Sequence, residues 1–146
     1  MGLVYANIDI YSWSDIVLQQ NGIFDENSIR KVNTRALVDS GSYMLVINES
    51  IKQKLNLKTI NREKMELANG LIEEVDIVGP VDVHFENRRC SCDAVVLPGE
   101  NEVLLGSIPL EDLDVVIDPR NLKLIVNPES PLMAKKKMKR IVISEK

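Results

Sequence analysis

The stretch Val32-Asn33-Thr34-Arg35-Ala36-Leu37-Val38 runs into Asp39-Ser40-Gly41-Ser42, and Tyr43-Met44-Leu45-Val46-Ile47 follows at once. Two apolar runs bracket a short polar turn, so the segment reads as strand, tight turn, strand. Asn48 then suits a helix N-cap, with Glu49 in the first turn and Lys52 and Lys54 towards the end. Ile51 and Leu55 fall four apart on one face, which predicts a helix over Glu49–Leu57. Asp39 stands at the join between the two runs, beside a core, where a carboxylate is costly to ionise. Gly41 permits the tight backbone and Ser40 offers a hydroxyl. Taken alone, Asp-Ser-Gly is also an ordinary β-turn sequence.

Outward from that centre the chain stays mainly β. Before it, Val4, Ala6, Ile8 and Ile10 alternate with Tyr5, Asn7 and Asp9, predicting a half-buried strand. Ser14 is placed to cap a short helix over Asp15–Gln20, stopped by Asn21-Gly22. Asp25–Lys31 reads as a loop or helical turn. After it, Met65–Ala68 and Leu71–Val75 flank Asn69-Gly70, a hairpin signal of the type I′ kind, in which both central residues need φ > 0. Beyond Gly79-Pro80, Val81, Val83 and Phe85 alternate with Asp82, His84 and Glu86, and Cys90–Leu97 closes a meander. Val103-Leu104-Leu105 is a buried strand running into Gly106. Pro109–Leu113 makes about one helical turn, and Val115–Ile117 and Leu122–Val126 pair around Asp118–Asn121. Short antiparallel strands with two or three small helices favour a closed β-barrel.

Composition sets the limits. A chain of 146 residues, 45% hydrophobic and 27% charged, suits one globular domain and is too short for a two-lobed enzyme of about three hundred residues. The net charge of −4 hides an asymmetry. Residues 134–146 carry Lys135, Lys136, Lys137, Lys139, Arg140 and Lys146 against Glu145, a net +5, which leaves −9 on the rest. An acidic body argues against nucleic acid as a partner, and the basic segment reads as a solvated tail. We therefore expect a domain over 1–130 and a basic tail over 131–146. No charged-then-apolar leader opens the sequence and no apolar run approaches the ~18 residues of a membrane span, so the expected location is the cytoplasm, without membrane attachment. Cys90 and Cys92 are too close for a comfortable disulfide within a strand, and His84 is the single histidine, so no zinc set is expected. His84 on the polar side of a strand also makes a poor member of a Ser-His-Asp triad.

Ala36-Leu37-Val38-Asp39-Ser40-Gly41-Ser42 resembles the active-site loop of aspartic proteases: apolar residues, Asp, Thr or Ser, Gly, then a small residue. Downstream, Val103-Leu104-Leu105-Gly106 resembles the family's apolar-apolar-Gly strand, which threads behind that loop. Leu110–Leu113, Val116–Pro119 and Leu122–Leu124 follow in the order typical of single-lobed, retropepsin-like members of the bacterial type. The resemblance spans roughly residues 32–127 and implies the acid-protease fold, a closed β-barrel with a few short helices. It implies Asp39 as the catalytic aspartate, Ser40 as the hydroxyl that bonds across to a partner's loop, and Gly41 as the tight turn. Ser42 takes the small-residue position, with Leu105 and Gly106 supporting the loop. Ala68, Asn69, Gly70 and Leu71 lie where the flap hairpin belongs, without the flap's usual extra glycines. Gly106 is followed by Ser107 and not the viral Arg, and Tyr43-Met44 replaces the viral acidic pocket residues. Glu49–Leu57 and Asp15–Lys31 have no viral counterpart.

The implied activity is aspartic endopeptidase hydrolysis of a polypeptide, with no metal, cofactor or covalent intermediate. Two close carboxylates share one proton; the ionised one takes a proton from water while the other polarises the peptide carbonyl. One Asp-Ser-Gly per chain means that two chains must meet, each giving Asp39 at a two-fold axis, so the expected partner is a second copy. The alternative from another class is an inactive dimer of the same fold that binds or scaffolds peptides.

Overall fold

Alternation along the first strand is kept in the computed structural model, which describes residues 2–99 and 101–138. Ala6, Ile8 and Ile10 of β1 (Tyr5–Ser12) are buried while Asn7 is exposed. Helix α1 (Trp13–Gln20) begins two residues earlier than the sequence suggested: Ser12, not Ser14, is its N-cap and accepts the Asp15 amide. A 3-10 turn at Glu26–Ser28 follows, and β2 (Lys31–Val38) returns antiparallel along β1. The buried Asp15 carboxylate accepts the Arg30 amide at 2.9 Å and its guanidinium at 3.2 Å, tying the two ends of the insertion together.

The chain continues through β3 (Leu45–Asn48) and α2 (Glu49–Lys54), whose cap is Asn48 as predicted but which ends at Leu55, short of Leu57. Strands β4 (Thr59–Glu66), β5 (Ile72–Phe85), β6 (Arg88–Leu97) and β7 (Val103–Leu105) come next. Helix α3 (Ser107–Leu113) and the hairpin β8 (Val115–Asp118) and β9 (Lys123–Val126) complete the order. Gly79-Pro80 does not separate two strands. β5 runs through it with a register shift between Val78 and Val81, because Pro has no N–H for the ladder and a bulge absorbs the gap.

Six strands close on themselves in the order β5-β6-β3-β7-β2-β1, with β1 pairing back onto β5 from Asp9↔His84 to Ser12↔Val81. The protein is thus mainly β, a closed six-stranded barrel with three short helices among the described residues. β4 extends the outer half of β5 as an arm, and β9 joins β1 through the single parallel pair Tyr5↔Lys123. Among the described residues, no helix is long and apolar enough to cross a membrane.

Several barrel strands are apolar on both faces. Leu45 and Ile47 of β3, Ala94 and Val96 of β6, and Leu105 of β7 face the barrel core. Their neighbours Val46, Val95 and Leu104 belong to a second apolar cluster with Val75 and Ile77. The period of two that fills the barrel with one set of side chains therefore builds an outer apolar floor with the other.

The segment after β9 lies against the body up to Lys136, through hydrogen bonds from Ser130 and Lys135 and an ion pair from Lys136. Leu132 and Met133 remain exposed. Residues 139–146 of the basic tail, including Lys139, Arg140 and Lys146, lie outside the described residues.

Candidate active site

The outer floor carries the loop that β2 delivers. β2 and β7 run parallel, and where their pairing ends at Val38↔Leu105 the Asp39 amide donates to the Leu105 carbonyl oxygen at 3.0 Å. The chain then turns sharply, with the Ser42 amide donating to the Asp39 carbonyl oxygen at 3.1 Å. Both carboxylate oxygens of Asp39 are engaged from within the same loop. Gly41 N–H donates to Oδ1 at 3.0 Å and Ser42 Oγ to Oδ2 at 3.0 Å. The carboxylate is thereby fixed in orientation while half-buried, open to a reactant on one side. Ser40 stands exposed at the tip of the turn.

Gly106 explains itself by space. A Cβ there would run into the Met44 carbonyl oxygen and come within 2.7 Å of that of Ser42. Its absence lets the backbone after β7 pass directly beneath the loop. Ser107 N–H donates to the Ser42 carbonyl oxygen at 2.8 Å and Ile108 N–H to that of Tyr43 at 3.0 Å. The first turn of α3 thus holds the loop from behind.

An open cleft of about 940 Å³ lies over Asp39. Its floor is the second apolar cluster, Met44, Val46, Val95, Leu97 and Leu104, and its far wall is the β4–β5 hairpin from Met65 to Gly70. Ala68, Asn69 and Gly70 border the cleft, whereas Leu71 is exposed outside that lining. The hairpin exists where expected, but its turn is not type I′. The Gly70 amide closes on the Leu67 carbonyl oxygen, so Ala68 and Asn69 are central, and only Gly70 has φ > 0, at 83°. Asn69 keeps its side chain for the Leu71 amide at 3.0 Å, a local bond that needs no left-handed backbone.

Of the residues singled out from sequence, Asp39, Gly41, Ser42, Leu105 and Gly106 come together with the tip of the arm across the cleft. His84 lies elsewhere, against Tyr11 with ring centroids 4.4 Å apart and 3.5 Å from Asp82. At Cys92 a hydrogen bond with Cys90 and burial push the thiol up from its ordinary range, which disfavours the reactive thiolate. The apolar floor residues Val46, Val95 and Leu104 were missed as site residues. Their signal was the apolar run on both strand faces, which marks burial but not what is buried against what.

Barrel, loop and cleft together define the retropepsin-like class of aspartic proteases. A family model described as aspartyl protease matches residues 26–108, more than half of the chain, and the chain belongs to that family. No curated protein matches it.

Proposed function

We propose that the chain is an aspartic endopeptidase that works as a homodimer, with Asp39 of each copy meeting at the two-fold axis. The observation that supports it best is a carboxylate oriented by Gly41 N–H and Ser42 Oγ on the floor of an extended apolar cleft. One such carboxylate per chain is half of a general acid–base pair. In the assembled dyad one proton is shared. The ionised Asp39 draws a proton from water, and the protonated one donates to the scissile carbonyl oxygen, so water adds and a tetrahedral diol forms. Proton transfer to the amide nitrogen then releases the two peptide ends.

Ser40, exposed beside the axis, is assigned the bond to the partner's loop, and Ala68–Leu71 the closure over the substrate. An unfolded polypeptide, bound extended along the cleft, is the proposed substrate. Cytoplasmic residence suits the free thiols Cys90 and Cys92. The test is cleavage of a denatured protein by the wild type but not by Asp39→Asn, with the mass of both in solution measured. A wild-type dimer that binds peptide without cutting it would favour the scaffold reading.

A further inference from the structure

We propose that Asp114 and Arg88 are positioning residues for the catalytic loop, acting by strapping α3 down with the segment Asn127–Lys136. This rests on Asp39 as the catalytic group. Asp114 ends α3 in a left-handed conformation, φ 54° and ψ 62°. That bend turns its carboxylate towards the segment after β9, where it accepts Asn127 Nδ2 at 3.0 Å, Ser130 Oγ at 2.6 Å and the Lys135 amide at 2.9 Å.

Arg88 lies underneath, its side chain without exposed surface. Its guanidinium donates to the carbonyl oxygens of Asp114 and Ser130 and stands 3.6 Å from the Asp114 carboxylate. A desolvated guanidinium needs such partners, and Nη1 has none among the described residues. Arg88 therefore depends on both Asp114 and the strap. Lys136 adds an exposed ion pair to Asp112 at 2.7 Å, which by itself is worth little.

The other end of α3 is where the consequence falls. Ser107 and Ile108 donate to the carbonyl oxygens of Ser42 and Tyr43, the two residues that follow the Asp-Ser-Gly turn. A seven-residue helix is too short to hold its position by its own cooperativity. Fixed at Asp114, it presents both amides to the loop; released there, it lets Ser42 drift from Asp39. Misplacement by about 1 Å at a site remote from the chemistry can cost on the order of 100-fold in rate.

Hydrogen exchange and kinetics of the full chain test this together. In Asp114→Ala the Ser107 and Ile108 amides should exchange faster by at least tenfold more than those of β1 and β5. The value of kcat should fall at least tenfold with KM within about twofold. Asp114→Asn, which keeps an acceptor, should recover part of both effects. Ser130→Ala removes one donor and should shift the same readouts less, which keeps the test open if Asp114→Ala does not fold. Equal acceleration throughout the barrel, unchanged Ser107 and Ile108 amides in the folded variants, or wild-type kcat despite loosened amides would each overturn the proposal. Loosened amides in a chain whose wild type cleaves nothing would instead refute the enzymatic reading of Asp39.

Discussion

The amide of Asp39 and the carbonyl oxygen of Leu105, 3.0 Å apart, join the loop that carries the carboxylate to the strand that supports it. The bond continues the parallel β2–β7 ladder by one step. Everything past it depends on how closely the backbone after Leu105 can follow, and Gly106 sets that distance.

Gly106→Ala should therefore damage both stability and activity. Its φ of −85° suits any residue, so the cost is steric alone: a methyl group directed at the Met44 and Ser42 carbonyl oxygens. Overpacking of this kind costs about 1–3 kcal/mol. A melting temperature lower by several degrees and at least tenfold lower kcat are expected from thermal unfolding and peptide cleavage. An unaltered melting temperature would show that the loop relaxes freely.

Ser42→Ala removes the donor to Asp39 Oδ2 and leaves the backbone bond from Gly41 to Oδ1. A hydrogen bond to a charged group is worth roughly 1.5–3 kcal/mol, so about tenfold or more should be lost from kcat. Ser42→Thr, which keeps the hydroxyl, should lose less. If Ser42→Ala cleaves as the wild type does, Oγ does not orient the carboxylate.

Much of this arrangement is legible in the sequence because it is local or strongly patterned. Asp39-Ser40-Gly41 announces a turn, and Leu104-Leu105-Gly106 announces a strand that must end against something close. The arm at Asn69-Gly70 was legible as a hairpin, but its turn type was decided by whether Asn69 used its backbone or its side chain. Asp82 was not legible. Its alternation with Val81 and Val83 reads as solvated, yet it is buried and held bidentately by Arg89 at 2.8 and 2.9 Å across the β5–β6 pair. The Asp114 cluster was hidden for a related reason. Its donors Asn127, Ser130 and Lys135 are scattered around a break at Pro128 and Pro131, and no periodicity says which carboxylate they return to. Two-faced apolar strands likewise declare burial without distinguishing barrel core from cleft floor.

The Asp114 strap should persist in acid. Hydrogen bonds from Ser130, Asn127 and the Lys135 amide, aided by Arg88, hold its carboxyl at about 2, below the ordinary 3.8. A folded-state value below the unfolded one means stability that is complete above the unfolded value and lost as pH falls through the folded one. The melting-temperature gap between wild type and Asp114→Asn should therefore be constant above about pH 5 and shrink from about pH 4 towards pH 2. A gap that widens on acidification would have the wrong sign for a carboxylate stabilised by its bonds.

Mixed dimers test the shared dyad most directly. Asp39→Asn keeps the size and much of the hydrogen-bonding outline of the side chain but removes its ionisation and acidic proton. The Gly41 amide can still reach the Oδ1 position, and the Leu105 carbonyl still receives the amide of residue 39, so the mutant should fold and dimerise. If each site needs Asp39 from both chains, a dimer with one mutant chain is nearly inactive. Refolding equal amounts of both chains gives about one quarter fully wild-type dimers by random pairing in a two-fold assembly. Activity should then be about a quarter of that from the same total concentration of wild-type chains. Were a complete site carried by each chain, about half would remain. A value near half, with random pairing verified on tagged chains, would exclude the shared dyad and reduce Asp39 to an accessory role.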